Sequence, residues 1–586
     1  MRKIRSIVAI AGCAFGLSLI ASGGEAAGRL ELTPCAKDKH QGLPEDARCG
    51  IYEVWENQET KQGRKIPLQV VVLPARGADK LPDPVIYFAG GPGDSAVKEG
   101  VYAGQEFEEL RDRRDFLLVD LRGTGLSGGL FCTELQGAVG IQGFLDDFLP
   151  TERIHACRDR LKKEADLSWY TSDVAVDDVE EVRAALGYGP ANILGGSYGT
   201  RSVLVYLRRH PKSVRTATLL GVVAPDELYP LGLARATQTV LDGLIAECQG
   251  DPACRKAFPK LREETDAVLR QVTAGPVRVQ LTDPRTGEPV ELRLGRSGVA
   301  QTIRYMLYSP AGASLVPLQI HLAAQGDWKP LARSAQLYGS LMIATSDGFY
   351  QSVTCAEDVA FIREEQIAPA VAGTFLGDFR VRKQQAACEG WPTRDLGPET
   401  LKPVVSEVPA LLISGERDPA TPASAGERVV RTLERGRHLI VADAAHSTRG
   451  MEGTDCLKDL MVSFIETGAA EKLDVSCISR IRRPDFFLSE GEPEVKVARA
   501  DLEKLAGTYK DGKSGLGVKI DLLGDRLRVT FPDASEPLLL VPISPARFRF
   551  EAVLGEGLEF VMVNGRATGV RQTGPGRPDL VIPRVE

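Results

Sequence analysis

The sequence has little of what several classes of protein require. It contains only six histidines, so a metal site built from several histidine ligands has few candidates. Its 72 Lys and Arg residues do not outnumber its 79 Asp and Glu residues, and the net charge is −7. Without a basic surplus to neutralise phosphates, nucleic-acid binding is not expected. Beyond the N-terminal segment, no apolar run approaches the ~20 residues of a membrane-spanning helix. The hydrophobic content of 43% and the charged content of 26% are instead typical of a globular protein.

The N-terminal segment predicts export. Three basic residues within the first five precede an apolar run at 7–20, and the small residues that follow offer a cleavage site after Ala26. This composition and length are typical of a secretory signal peptide. An uncleaved membrane anchor is the alternative. We therefore expect residues 1–26 to be removed and the mature protein to be periplasmic or secreted, with no stable membrane insertion.

The cysteines agree with export. Ten of the eleven lie after the signal segment, and an even number in an exported chain is typical of disulfides. Sequence alone leaves the connectivity open, and free buried thiols are the alternative. Because the ten cysteines fall into close neighbours along the chain, we predict the pairs Cys35–Cys49, Cys132–Cys157, Cys248–Cys254, Cys355–Cys388 and Cys456–Cys477. No C-x-x-C spacing is present, so a cysteine-based zinc site is not expected.

Short apolar runs alternate with helical patterns over much of the chain. This alternation predicts an α/β fold with a mostly parallel sheet that helices cover on both faces. The apolar runs that we predict as strands are residues 67–75, 84–89, 116–120, 191–194, 217–223, 410–414 and 438–442.

Two regions break this alternation. Between residues 226 and 407 the strand signals stop and helical patterns appear, which predicts a large α-helical insertion. From 499 to 586, short β runs separated by turn residues predict a small C-terminal β domain, reached through a linker at 481–498. The core is then made of residues 27–225 and 408–480.

The candidate nucleophile lies in a G-x-S-x-G pattern at 195–199, between a predicted strand and a predicted helix. In that context the pattern predicts a nucleophile elbow, a sharp turn that exposes the Ser197 hydroxyl. An ordinary strand-to-helix turn is the alternative, because Gly and Ser are common in such turns.

A serine hydroxyl needs a base, and the base needs an orienting acid. When the nucleophile is on an elbow, the acid and then the histidine follow it along the chain. Asp418 follows the predicted strand at 410–414, and His446 follows the next one at 438–442. We predict Ser197, Asp418 and His446 as a catalytic triad, with Glu416 and Asp443 as the alternatives for the acid. Taken singly, Asp418 is also compatible with a helix N-cap and His446 with a surface loop.

Two further glycine-rich segments follow predicted strands. The segment at 89–93 is upstream of the elbow, and we predict an oxyanion hole made of the N–H groups of Gly91 and Tyr198. A plain tight turn would explain the composition of this segment equally well. The segment at 120–127 does not fit a phosphate-binding pattern, and we predict a structural role in which Arg122 braces neighbouring loops.

Five motifs together resemble a known family. They are A-G-G-P-G at 89–93, D-L-R-G-T-G-L-S at 120–127, G-G-S-Y-G-T at 195–200, G-E-R-D-P-A-T-P at 415–422 and A-A-H-S at 444–447. In this order and spacing they are similar to the α/β-hydrolase serine aminopeptidases, of which proline iminopeptidases and secreted tripeptidyl aminopeptidases are the nearest members. The resemblance covers residues 52–478. Ala89 replaces a His and Tyr198 replaces a Trp of many proline iminopeptidases, and the long insertion is closer to the tripeptidyl branch.

The resemblance implies an α/β-hydrolase fold in which the insertion is a lid over the carboxyl ends of the strands. It implies a serine aminopeptidase that releases residues or short peptides from the free N-terminus of short peptide substrates through an acyl-enzyme. Neither a cofactor nor a metal is expected. The oligomeric state stays open.

An aminopeptidase must bind a free α-ammonium group, which calls for carboxylates that face the site. Glu357 and Asp358 in the insertion are the candidates, because a disulfide at Cys355 would fix their segment. A solvated acidic helix end is the alternative. Two other functions stay open: an esterase or small-amide hydrolase that uses the same triad, and a non-catalytic binding protein on a hydrolase scaffold.

Overall fold

The computed structural model of the protein describes residues 30–36, 42–135, 142, 145–146, 149–341, 346–511, 517–531, 537–574 and 580–585. The predicted signal peptide lies outside the described residues. The helices are α1 Ala96–Glu106, α2 Thr151–Leu161, α3 Ser172–Ala185, α4 Tyr198–Arg209, α5 Tyr229–Gly250, α6 Pro252–Ala257, α7 Leu261–Ala274, α8 Arg296–Met306, α9 Pro310–Ala313, α10 Val316–Ala324, α11 Lys329–Leu341, α12 Asp347–Val353, α13 Glu364–Val371, α14 Phe379–Cys388, α15 Ala423–Val430, α16 Asp455–Thr467 and α17 Arg499–Leu505. Among these described helices, none has the length and apolar character needed to cross a membrane.

The strands form one large mixed sheet, one hairpin and one C-terminal sheet. They are β1 Thr33–Pro34, β2 Arg48–Trp55, β3 Lys65–Leu73, β4 Val85–Phe88, β5 Phe116–Val119, β6 Ala191–Gly196, β7 Val214–Leu220, β8 Val277–Thr282, β9 Pro289–Leu294, β10 Ala410–Gly415, β11 Gly436–Val441, β12 Gly507–Lys510, β13 Gly517–Leu523, β14 Arg526–Thr530, β15 Leu538–Pro542, β16 Arg547–Phe550, β17 Gly557–Val563, β18 Arg566–Thr573 and β19 Val581–Pro583.

The central sheet is mostly parallel, as predicted. Its order is β1-β2-β3-β5-β4-β6-β7-β10-β11, with antiparallel pairing from β1 through β3 to β5 and parallel pairing from β5 to β11. Strands β5 and β10 are buried along their whole length, because helices cover both faces of a parallel sheet. This is the α/β-hydrolase fold, and it brings the carboxyl ends of β6, β10 and β11 to one edge.

Arg122 braces loops at this edge, as the sequence predicts. Its fully buried guanidinium donates two hydrogen bonds to the Asp178 carboxylate, at 2.7 and 2.8 Å. It also donates to the backbone carbonyls of Trp55, Glu56 and Trp169. The loop after β5 is thereby tied to β2 and α3.

The insertion between β7 and β10 is mostly helical, from α5 to α14. The sequence predicted an insertion made of α-helices alone, and this part of the prediction is wrong. The insertion contains the antiparallel hairpin β8–β9, in which Val277 pairs with Leu294 and Thr282 with Pro289. Val279, Leu281, Leu292 and Leu294 alternate with exposed polar residues and enter the insertion's own apolar core. The prediction missed the hairpin because these two alternating segments are short and lie among longer helical patterns.

The C-terminal region forms the separate β domain that the sequence predicts. Strands β12 to β19 pair antiparallel in chain order, and α17 packs beside them with Leu502 and Leu505 in the domain's own core.

All five predicted disulfides are present, joining Cys35–Cys49, Cys132–Cys157, Cys248–Cys254, Cys355–Cys388 and Cys456–Cys477. The first, second and last tie segments of the core together, and the other two lie within the insertion.

Candidate active site

Ser197 stands at the sharp turn between β6 and α4. Its backbone has φ 52° and ψ −124°, a strained conformation for a residue with a side chain. A Cβ at Gly199 would lie 2.2 Å from the carbonyl oxygen of Phe88, so only glycine allows α4 to start this close to β4. The elbow therefore has the geometry expected of a G-x-S-x-G nucleophile.

His446 and Asp418 complete a line of hydrogen bonds that starts at Ser197. The Nε2 atom of His446 lies 3.1 Å from Ser197 Oγ, and its Nδ1 atom lies 2.8 Å from Asp418 Oδ2. Each residue follows a different parallel strand: Ser197 follows β6, Asp418 follows β10 and His446 follows β11. The sheet thus brings together three side chains that are up to 249 residues apart, within the reach that nucleophile activation requires.

Asp418 is held as a buried carboxylate. Its Oδ1 accepts hydrogen bonds from the N–H groups of Ala420 and Thr421, both at 2.8 Å, and its Oδ2 accepts one from the Thr421 hydroxyl at 2.6 Å. Burial raises the pKa of Asp418, but the charge and hydrogen bond of His446 and the hydrogen bonds of Thr421 outweigh it and leave that pKa below its usual value. The carboxylate is therefore charged when it faces the imidazole.

The two alternative acids make other contacts. Asp443 pairs with Arg417 at 2.7 Å, and the Asp443 N–H donates to Glu416 at 3.2 Å. The hydrogen bond from the imidazole of His446 goes to Asp418. The geometry therefore favours Asp418 over Glu416 and Asp443.

The 89–93 loop passes directly beside the nucleophile. A Cβ at Gly90 would lie 3.6 Å from the Cβ of Ser197. Gly91 has φ 102°, a conformation that glycine adopts without strain. Tyr198 is the first residue of α4, where backbone N–H groups have no partner within the helix. The loop that contains Gly91 therefore lies beside Ser197, and Tyr198 directly follows it; the oxyanion hole made of their two N–H groups stays a prediction.

An acidic side chain that the sequence did not predict, that of Glu99, holds this loop. The Glu99 carboxylate accepts hydrogen bonds from the Tyr87 hydroxyl at 3.0 Å and from the Gly90 N–H at 3.4 Å. Burial and the nearby Asp94 raise the pKa of Glu99 to about 7. No local sequence pattern marks this contact, which joins β4, the loop and α1.

Glu357 and Asp358 are buried rather than solvated. They end a π-helical turn, Thr354–Asp358, that the Cys355–Cys388 disulfide attaches to α14. Both carboxylates contact one guanidinium, that of Arg201 on α4, at 3.6 Å for Glu357 and 2.9 Å for Asp358. The alternative of a solvated acidic helix end is therefore wrong.

Glu357 is connected to the elbow through Ser172. The N–H and the hydroxyl of Ser172 donate to the two Glu357 oxygens at 2.6 and 2.8 Å, and the same hydroxyl lies 2.8 Å from the hydroxyl of Tyr198. Burial raises the pKa of Glu357 to about 7, although Arg201 and Ser172 act to lower it. Ser172 and Arg201 could not be predicted as partners of Glu357, because neither belongs to a motif.

The insertion contributes an aromatic contact to His446. The ring of Tyr308 meets the imidazole edge-on, with ring centroids 5.0 Å apart. The hydroxyl of Tyr308 accepts a hydrogen bond from the buried Arg304, which also donates to the Tyr229 hydroxyl at 3.0 Å. The insertion is therefore packed directly over the base, as expected of a lid.

One group of potential metal ligands occurs among the described residues, made of Cys132, Glu134 and Cys157. Its two cysteines form a disulfide, so they offer no thiolate to a metal.

Comparisons with known proteins relate the chain to other hydrolases. A family model described as "alpha/beta hydrolase fold" matches residues 83–257, and one described as "TAP-like protein" matches residues 373–477. The chain is 26% identical to the serine protease Hip1 of Mycobacterium tuberculosis over 494 residues, which cover 76% of this chain and 91% of that protein. It is 24% identical to the tripeptidyl aminopeptidase of Streptomyces coelicolor over 501 residues, which cover 78% and 87% of the two chains. The chain therefore has the α/β-hydrolase fold, and it is similar in sequence to a serine protease and to a tripeptidyl aminopeptidase.

Proposed function

We propose that this protein is an exported serine aminopeptidase, which releases residues or short peptides from the free N-terminus of peptide substrates. The observation that carries the proposal is the line of hydrogen bonds from Ser197 through His446 to Asp418 at the elbow. The free amine is assigned to the buried acidic pair of the insertion, of which Glu357 is connected to the Tyr198 hydroxyl through the hydroxyl of Ser172. The similarity to a tripeptidyl aminopeptidase supports the same reading.

Acylation begins at Ser197. Its Oγ attacks the carbonyl carbon of the scissile amide while Nε2 of His446 takes the hydroxyl proton. The N–H groups of Gly91 and Tyr198 stabilise the negative charge that develops on the carbonyl oxygen. His446 then gives its proton to the leaving nitrogen, the C–N bond breaks, and the N-terminal fragment stays bound to Ser197 as an ester.

Deacylation follows the same steps, with water as the nucleophile. His446 removes a proton from a water molecule, whose oxygen attacks the ester carbon. The imidazole then returns the proton to Ser197 Oγ, and the fragment leaves with a new carboxylate. Asp418 keeps Nδ1 of the imidazole protonated and stabilises the imidazolium that forms in both half-reactions.

Charge balance favours a free amine on the substrate. Within the part of the chain that the structure describes, Arg201 is the one cation that contacts both Glu357 and Asp358. With both carboxylates ionised, these three side chains carry one unit of net negative charge. A buried charge is costly unless it is paired. The α-ammonium of a peptide would supply the missing cation, and its binding would lower the pKa of Glu357 from about 7.

Export and short substrates are part of the same proposal. The five disulfides suit an oxidising compartment, periplasmic or extracellular. The insertion packs Tyr308 against His446, and a lid in this position would favour short peptides over folded proteins.

The proposal is tested with chromogenic amides, from single residues to tripeptides, each with a free and an acetylated N-terminus. We expect the wild type to cleave the free amines and Ser197→Ala to cleave none. Free-amine cleavage that survives in Ser197→Ala would refute the proposed nucleophile. Equal cleavage of acetylated substrates would refute the aminopeptidase.

The second candidate is an esterase or small-amide hydrolase that uses the same triad. Glu357 and Asp358 already have Arg201 and Ser172 as partners, which is the observation that favours it. In that case simple esters would be cleaved in preference to peptide amides, and neutralising Glu357 would not alter their turnover.

A further inference from the structure

The turn between β16 and β17 is one of the places where the C-terminal β domain contacts the insertion; another is Arg528 of β14, which donates to the carbonyl of Arg285 at 2.7 Å. Leu554 in this turn is 6% exposed and belongs to the apolar core of the insertion. Phe487 of the linker packs against the same core, and its N–H donates to the carbonyl of Ser314 at 3.1 Å, directly after α9. The turn is therefore docked onto the insertion.

An ion pair connects the same turn to the loop that carries His446. Glu556 is 6% exposed, and its Oε1 accepts a hydrogen bond from Nη2 of Arg449 at 2.5 Å. Arg449 is three residues after His446, and its side chain is 44% exposed. Because a buried carboxylate needs a partner, the position of Glu556 constrains Arg449 and hence the loop.

The insertion holds this loop from its other side. The Ser447 N–H donates to the carbonyl of Tyr308 at 2.9 Å, and the Ala311 N–H donates to the carbonyl of Arg449 at 3.1 Å. The Tyr308 ring packs against the His446 imidazole. The loop is thus fixed between the insertion and the β domain, with Arg449 contacting both.

We propose that the C-terminal β domain positions the loop that carries the catalytic histidine, with Glu556 acting through Arg449 as a positioning residue for His446. The inference rests on the hydrolase activity proposed above. His446 must meet Ser197 and Asp418 at the same time, at 3.1 and 2.8 Å. A misplacement of about 1 Å in a catalytic group can cost about 100-fold in rate, so a loosened loop lowers turnover without removing any catalytic atom.

The test uses the full chain with Glu556→Gln, Arg449→Met and the double variant. The control is Glu559→Gln, because Glu559 pairs with Arg571 within the β domain, 3.9 Å away. Two assays are run on each variant. One measures the rate at which a fluorophosphonate labels Ser197, and the other measures kcat and KM for a chromogenic tripeptide amide. Thermal unfolding confirms that each variant is folded at the assay temperature.

Each single variant is expected to lower kcat and the labelling rate by about tenfold, with KM changed less than twofold. The double variant is expected to be no slower than the slower single variant, since both disrupt one contact. Arg449→Lys, which keeps the cation, is expected to recover most of the rate. Because Glu556→Gln alters a buried group, Arg449→Met at a half-exposed position provides a second route to the same result.

The inference is overturned if the wild type reacts with the fluorophosphonate but Glu556→Gln and Arg449→Met have kcat values and labelling rates within twofold of the Glu559→Gln control. A wild type that does not react at all would instead overturn the proposed function, and the inference with it. The two failures are therefore distinguishable.

Discussion

Replacing Glu357 by Gln is expected to remove the preference for substrates with a free amine. Glu357 is 4% exposed and shares Arg201 with Asp358. Removing one partner of a desolvated charge pair costs about 2–5 kcal/mol. We expect the lower part of that range, because a Gln side chain still accepts a hydrogen bond from Ser172. A loss of about 2–3 kcal/mol corresponds to about 30- to 150-fold in kcat/KM.

The assay compares one tripeptide amide with a free N-terminus and the same amide acetylated. The ratio of the two kcat/KM values isolates amine recognition, because both substrates use the same Ser197 and His446. Burial raises the pKa of Glu357 to about 7, so this carboxyl is neutral below that pH and charged above it. The ratio should therefore rise with pH through about 7 and fall above about 8, where the substrate amine loses its proton.

In Glu357→Gln the ratio of kcat/KM for the free and the acetylated substrate should be about 30- to 150-fold lower. It should also be nearly independent of the assay pH between about 6 and 8. The matched control is Glu364→Gln, an exposed carboxylate of the insertion that pairs with Arg382; its ratio should equal that of the wild type. The assignment of the amine site would be refuted if Glu357→Gln had the same ratio as the wild type. It would also be refuted if the ratio of the wild type did not change with pH.

Two further predictions concern the acid and its support. Asp418→Asn is expected to lower kcat by up to about 10⁴-fold, because the imidazole loses its orienting carboxylate, whereas Asp443→Asn should stay within about threefold because Asp443 pairs with Arg417. Steady-state kinetics measure both, and a reversed order would transfer the role of the acid to Asp443. Thr421→Val removes the hydroxyl that donates to Asp418 at 2.6 Å and should lower kcat by about 10- to 100-fold, since a hydrogen bond to a charged group contributes about 1.5–3 kcal/mol. An unchanged kcat in Thr421→Val would mean that the two backbone N–H groups alone hold the carboxylate.

Ser197, His446 and Asp418 could be predicted because each lies in a short sequence pattern that indicates its role. A nucleophile elbow needs glycines at fixed offsets, and the acid and the base each follow an apolar strand of the core. The sheet topology then requires the ends of parallel strands to meet at one edge. The disulfides were predictable for a similar reason, since each joins cysteines that are close in the chain.

The surroundings of Glu357 could not be predicted, because its partners lie far away in the chain. Ser172 is 185 residues distant, and Arg201 belongs to the helix that starts at the nucleophile. Neither shows a pattern that sets it apart from a surface residue. The same is true of Glu556, whose contact with Arg449 spans 107 residues and two domains. Such contacts depend on how the insertion and the β domain pack, which periodicity does not encode.

The hairpin β8–β9 was missed for a different reason. Its strands carry an alternation of apolar and polar residues, which is a strand signal. Each strand has only six residues, whereas the flanking helices α7 and α8 have 14 and 11. The helical pattern therefore dominates this part of the sequence.

The most direct test of the account is to trap the acyl-enzyme. Mature protein is mixed with a tripeptide ester that has a free N-terminus, quenched in acid within the first turnover, digested and sequenced by tandem mass spectrometry. We expect the mass of the tripeptidyl group on Ser197, and a strongly reduced yield of this adduct from the acetylated ester. An adduct on another residue, or product formation with no adduct on Ser197 at any quench time, would contradict it.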